Sequence, residues 1–133
     1  MSVRPISFRG SYIKTLTAAE VNAIVSNQHE LHGVAQLRPI FGDDRVTVSA
    51  TFSIRGRPER CTAGLTWYDA REANLQRSAE YRLYFQSNPV MNAAREGDNI
   101  LIGVNSNGEI HCELIPQGVR GYVASFSWSV MIN

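Results

Sequence analysis

The chain has 133 residues, of which 44% are hydrophobic and 19% charged, and its formal net charge is +1. That length and balance fit one globular domain with its own core, and no basic tail announces a polyanion partner. The 13 basic residues are twelve Arg and a single Lys, Lys14, preceded by Ser11, Tyr12 and Ile13. Nuclease motifs of the acid-x-Lys or His-x-Lys kind and the phosphate-binding P-loop need a Lys in other surroundings, so they are excluded.

Residues 1–82 carry eleven basic and eight acidic side chains, and residues 83–133 carry two and four. An ordinary solvated surface reaches the same mild bias. Cys61 and Cys112 have no CxxC or other zinc spacing and read as reduced thiols in or near a core. Met1–Gly10 lacks the apolar stretch of a signal peptide, and no run approaches the roughly 18 apolar residues of a membrane span. The expected compartment is the cytoplasm, without membrane contact.

In chain order, Tyr12–Leu16 reads as a short strand. Thr17 with Glu20 makes a capping box, which predicts a helix over Ala18–Val25. Ser26-Asn27-Gln28 is a polar break. Leu31, Val34 and Leu37 then recur at spacing three, a second helical pattern that ends before Pro39. Gly42-Asp43-Asp44 is a turn. In Arg45–Ile54 the residues Val46, Val48, Ala50, Phe52 and Ile54 alternate with Thr and Ser, which predicts a strand with one buried and one wet face. Arg55–Arg60, with Gly56 and Pro58, reads as a hairpin loop leading into a strand over Cys61–Tyr68. Asp69–Ala79 is polar and aperiodic, and Glu80–Phe85 is strand-like with Tyr81, Leu83 and Phe85 on one side. Pro89–Gly97 is a connecting loop or short helix. Asn99–Val104 and Glu109–Ile115 are strands joined through Asn107-Gly108, a strong hairpin signal. In Gln117–Asn133, Phe126, Trp128 and Val130 alternate with serines, as a final strand or a linker would. Six or more strands with two early helices predict a mainly β (α+β) barrel or sandwich.

Catalytic constellations are absent from this pattern. His29 and His32 stand three apart, one short of the zinc-protease spacing and without a third ligand, so a surface or hydrogen-bonding role is the ordinary reading. There is no Gly-x-Ser-x-Gly elbow, and Asp43-Asp44 falls in a turn. Two polar segments remain. Lys14–His32, especially Ser26-Asn27-Gln28-His29-Glu30, and Asp69–Arg82 carry amides suited to adenine, and the second adds three Arg whose forked donors suit guanine edges and phosphates. Glu72 and Glu80 are placed to orient those Arg or to accept from cytosine. Arg55, Arg57 and Arg60 are phosphate candidates or simply an exposed loop. A solvated loop between strands is the bland reading of both segments.

The chain thus carries Tyr12-Ile13-Lys14-x-Leu16, then Gln28-His29-Glu30, helical Val34–Phe41 and the alternating strand Val46–Ile54. Trp67-Tyr68-Asp69-Ala70-Arg71, Glu80-Tyr81-Arg82-Leu83-Tyr84-Phe85 and the hairpin Ile100–Ile115 follow. This succession, over roughly residues 12–115, resembles the N-terminal effector domain of the EcoRII restriction endonuclease and its relatives, DNA-binding pseudobarrels related to the plant B-three transcription-factor domain. The resemblance implies one DNA-recognition domain over residues 1–133, an open seven-stranded β-pseudobarrel with two short helices near the N-terminus. It implies two loop arms that grip double-stranded DNA in the major groove and read a short site, CC(A/T)GG in EcoRII-like proteins. Carried over by position, the first arm holds Lys14, Ser26, Asn27, Gln28 and His29. The second holds Asp69, Arg71, Asn74, Gln76, Arg77, Glu80 and Arg82. The resemblance further implies a recognition module of a type II restriction endonuclease, with no metal, cofactor or chemistry of its own and a fused or associated nuclease as partner. Two other readings compete: a protein-interaction module using an exposed strand edge or the Trp128 segment, and a hydrolase using His29 with a carboxylate.

Overall fold

A computed structural model describes residues 6–26, 28–74 and 76–131. The chain folds as strand β1 (Phe8–Thr15), helix α1 (Ala18–Val25), strand β2 (Glu30–Leu31), a 3-10 turn over Ala35–Leu37 and helix α2 (Arg38–Phe41). Strands β3 (Val46–Ile54), β4 (Arg60–Asp69) and β5 (Tyr81–Phe85) follow, then helix α3 (Pro89–Asn92). Strands β6 (Asn99–Asn105), β7 (Ile110–Ile115) and β8 (Ser129–Met131) complete it. The eight strands form one curled, open half-barrel sheet in the order β2-β5-β4-β3-β7-β6-β1-β8. Neighbours pair antiparallel except β3 and β7, which run parallel.

Alternation decides which side each strand buries. Ala50 and Phe52 of β3, Ala63, Leu65 and Trp67 of β4, and Tyr81, Leu83 and Phe85 of β5 enter the main core with Leu16, Ile24, Ile100, Ile102, Cys112 and Leu114. On the other face of β1, β6 and β7 lies a smaller core of Phe8, Ile13, Leu101 and Ile115, covered by Ile6, Val119, Tyr122 and Met131. Burial on both faces explains why Ile100–Ile102 is apolar without alternation. Gly103 fits here because a Cβ would lie 2.5 Å from the Gly10 carbonyl oxygen.

Helix α1 starts as its capping box predicts: the Thr17 hydroxyl accepts from the Glu20 N–H, and Glu20 accepts from the Thr17 N–H. Three expectations need correction. The strand count is eight rather than seven, the extra one being the two-residue β2. The second helix does not run over Leu31–Leu37 and stop at Pro39. Leu31 pairs with Leu83 as a strand, Gly33 breaks the run at φ +66°, and Pro39 lies within α2. Pro belongs in a first turn because the N–H it lacks has no helical partner there. Leu31, Val34 and Leu37 are nonetheless all buried, so the core needed their side chains and not a helix. Finally, the C-terminal segment ends in the strand β8, but its apolar alternation is not a buried face. Trp128 is in the core, whereas Phe126 is 80% and Val130 63% exposed. Trp128 is therefore closed to an outside partner.

Both cysteines are free thiols, Cys61 half-buried and Cys112 buried in the core. No helix among the described residues is long and apolar enough to cross a membrane.

Candidate nucleic-acid interface

The residues of β2, β5, β4 and β3 that point away from the main core form a polar face. Thr47, Ser49 and Thr62 are exposed there, and Thr47 and Thr66 share a hydroxyl–hydroxyl contact of 3.1 Å across the β3–β4 pair. Glu30, Tyr68, Arg82 and Tyr84 continue this face toward the sheet edge, by the registers Glu30↔Tyr84 and Tyr68↔Arg82.

The loop from Asp69 to Glu80 leaves this face at one end. Its neck is drawn shut by Asp69, whose Oδ1 accepts from the Arg71 and Glu80 N–H groups, both at 2.8 Å. The Ala70 N–H donates to the Glu80 carbonyl at 2.8 Å. Farther out, the Asn74 side chain accepts from the Gln76 N–H at 3.1 Å, and the Arg77 N–H donates to the Asn74 carbonyl. Asp69 and Asn74 thus shape the loop rather than reach outward. Gln76 and Arg77 are exposed side chains without a hydrogen-bond partner among the described residues.

At the neck the charged groups meet. Arg82 donates through Nη2 and Nε to Glu80 Oε2 at 2.7 and 3.2 Å, and Arg71 reaches Glu80 Oε1 at 3.4 Å. Arg82 also lies 3.6 Å from Glu30 Oε1, which His32 Nε2 approaches at 3.0 Å. The Tyr68 hydroxyl donates to Glu30. Arg45 stacks over the Tyr68 ring at 4.8 Å and pairs with Glu72 at 3.2 Å. The hydrogen bond from Arg82, aided by the nearby Arg71 charge, holds the Glu80 carboxyl below its ordinary range. Burial, helped by the bond to Glu30, pushes the Tyr68 phenol up, so it remains a proton donor. Two guanidiniums are thereby held on one ionised carboxylate, each partly exposed, with Arg82 Nη1 turned toward Glu30.

The first polar segment lies elsewhere. Lys14 is 9% exposed, its ammonium 2.6 Å from Glu20 Oε1 and 3.1 Å from the Thr15 carbonyl. That bond fastens β1 to α1 and removes Lys14 from the surface. Ser26 is exposed and donates to the Ala23 carbonyl at 3.4 Å, and Gln28 is exposed. Asn27 lies outside the described residues. His29 adopts φ 42°, its ring lies 5.5 Å from that of Phe85 at a tilt of 57°, and its carbonyl accepts from the Phe85 N–H at 2.9 Å. Because β2 runs antiparallel to β5, Gln28 and His29 sit at the Phe85 end while Asp69 and Glu80 sit at the Tyr81 end. The two arms therefore flank β5 at opposite ends, about 13 Å apart along the strand at about 3.3 Å per residue.

Sequence reasoning left four members out of its site: Glu30, His32, Arg45 and Tyr68. Their signal was alternation, since Glu30 and His32 stand either side of buried Leu31, and Tyr68 follows buried Trp67. The 69–82 segment holds three Arg and three acidic residues, so it draws phosphate little by net charge. The arrangement suits recognition of hydrogen-bonding edges. Catalytic geometry is not evident among the described residues of this face: Ser53 meets His111 at 2.7 Å farther along it, but both are buried where the sheet passes under the smaller core. Among the described residues no group of three or more His, Cys, Asp or Glu could hold a metal ion. Comparison with protein-family models, with curated proteins and with solved structures finds no match to this chain.

Proposed function

We propose that this chain is a sequence-specific double-stranded DNA recognition domain, a pseudobarrel of the EcoRII N-terminal type that works with a fused or associated nuclease and does no chemistry itself. The observation that carries the reading is the pair Arg71 and Arg82 fastened to Glu80 at a loop neck. A guanidinium held in plane by a carboxylate presents its remaining N–H groups in the geometry that guanine O6 and N7 accept, and the carboxylate itself suits cytosine N4–H. The hydroxyl face beside it carries short side chains that let a sugar–phosphate backbone come close, with Ser and Thr as donors. Gln28 at one end of β5 and Gln76 and Arg77 at the other are the outward groups of two arms. The preferred site by resemblance is CC(A/T)GG-like.

A random-sequence duplex selection with sequencing tests this. The wild-type chain enriches one short motif, and Arg82→Ala or Arg71→Ala weakens binding to it by roughly 5- to 150-fold while relaxing one base position. The near-neutral arm makes the salt dependence shallow, a slope of log affinity near that of only a few phosphate contacts. Selection that enriches no duplex overturns the reading. A second reading, a protein-interaction module, is favoured by exposed Phe126 and Val130 next to the edge strand β8. No enriched duplex, together with concentration-dependent association abolished by Phe126→Ser, decides for it.

A further inference from the structure

The far end of the half-barrel from the 69–80 loop holds a cavity of about 580 Å3 between the β3–β4 turn, α3 and the start of the C-terminal segment. Its size is that of a small-molecule site. The floor is apolar, formed by Ile54, Leu114 and Pro116, and Arg57 and Arg95 line it. Of the described arginines, Arg38, Arg45, Arg55, Arg71 and Arg82 are ion-paired. Arg57 and Arg95 have no side-chain hydrogen bond or ion pair among the described residues, and both face this one space.

One wall is built rather than incidental. Asp98 is buried, and its two carboxylate oxygens accept from the Arg95 N–H at 3.0 Å and the Gln117 N–H at 3.2 Å. Asp98 is thus turned onto the backbone, while Glu96 also lines the space, so a ligand must bring enough negative charge to draw the two Arg from both carboxylates. The Gln117 side chain donates to the Glu96 carbonyl at 3.0 Å, and the Tyr122 hydroxyl donates to the Gly97 carbonyl at 2.5 Å. Gly97 takes φ +91°, a conformation that favours Gly, and the Gln117 amide packs over it where a Cβ would stand. The cavity is preformed, which lowers the ordering cost of filling it.

We infer that this cavity binds a small organic phosphate of mononucleotide size. Two unpaired guanidiniums suit the several oxygens of one phosphate dianion, which each can take bidentately. The apolar floor takes a flat ring, and the Asn92 amide at the rim offers a donor and an acceptor to a ring edge or a sugar hydroxyl. The site is separate from the proposed DNA surface and does not depend on it.

The test is a titration of the isotope-labelled whole chain, followed by amide shifts, with AMP, adenosine and inorganic phosphate as probes. AMP is expected to give saturable shifts at Arg95 and Gln117. Adenosine and inorganic phosphate each bind at least about tenfold more weakly, since each lacks one half of the interaction. In the double variant Arg57→Ala, Arg95→Ala, AMP affinity falls by about tenfold or more, with the thermal midpoint unchanged because both side chains are exposed. Absence of saturable shifts, equal affinity of the double variant, or adenosine binding as tightly as AMP overturns the inference.

Discussion

Replacing Trp67 by Phe perturbs the point from which the 69–80 loop hangs. Trp67 is fully buried, pairs in register with Val46 on one side and Leu83 on the other, and stands two residues before Asp69. Its ring lies between Phe41 and Tyr81, at 5.1 and 4.7 Å and nearly parallel to both, and its Nε1–H donates to the Gly42 carbonyl at 3.0 Å. Phe keeps a ring in the stack but loses three things. The hydrogen bond contributes about 1 kcal/mol net. The smaller ring buries roughly 40 Å2 less apolar surface, about 1 kcal/mol at about 25 cal/mol per Å2. The stacking loss is about 0.5 kcal/mol. The expected destabilisation is therefore about 2–3 kcal/mol, and about 3–5 for Trp67→Ala. A domain of this kind has about 5–15 kcal/mol in total, so the Phe variant stays folded and measurable. Urea unfolding followed by far-ultraviolet circular dichroism reads the change as a shift in midpoint at constant slope. A loss below about 0.5 kcal/mol refutes the reasoning, because it would mean that neither the hydrogen bond nor the three-ring stack holds the loop base.

His111, whose ordinary value is 6.5, is pushed down by burial, with Arg60 adding to the effect. The unfolded chain therefore takes up a proton that the fold refuses, and stability is full above about pH 6.5 and declines as pH falls below it. His111→Gln should flatten that decline between about pH 7 and 5, and parallel curves for the two proteins count against the assignment. Lys14→Met should leave duplex affinity unchanged and lower stability by about 1 kcal/mol, since its ammonium already serves Glu20; a weakened duplex complex would return Lys14 to the surface. Burial pushes the Cys112 thiol up, so a thiol reagent at pH 8 should label Cys61 in the native protein and Cys112 only on unfolding; labelling of both at one rate refutes this. Arg55→Ala strips buried Glu113 of its bidentate partner and should cost about 2–3 kcal/mol without altering base preference in the duplex selection; a changed preference would draw the Arg55 side of the sheet into the interface.

What was legible in the sequence was local. The alternation of Val46–Ile54, the Thr17–Glu20 box and the Asn107-Gly108 turn are each decided by a few neighbouring residues, and each forms where the pattern puts it. What was not legible depends on partners far along the chain. The strand β2 is two residues long and exists because Glu30 and Leu31 meet Tyr84 and Leu83, although Leu31, Val34 and Leu37 at spacing three imitate a helix. The same pairing carries Glu30 to Tyr68 and Arg82, which no spacing rule places together. The excess of Arg over Lys gains a physical sense from these partners. Arg55 is fixed to Glu113, which is buried, and that pair holds β3 to β7. Arg71 and Arg82 share Glu80, which is more open than either of them, so this pair closes the loop neck at the surface rather than in the core. A Lys at either position would offer one point charge to Glu80 and leave no aligned donors over. The Arg bias is thus in part a way of building this fold, since Arg38, Arg45, Arg55, Arg71 and Arg82 each hold a carboxylate.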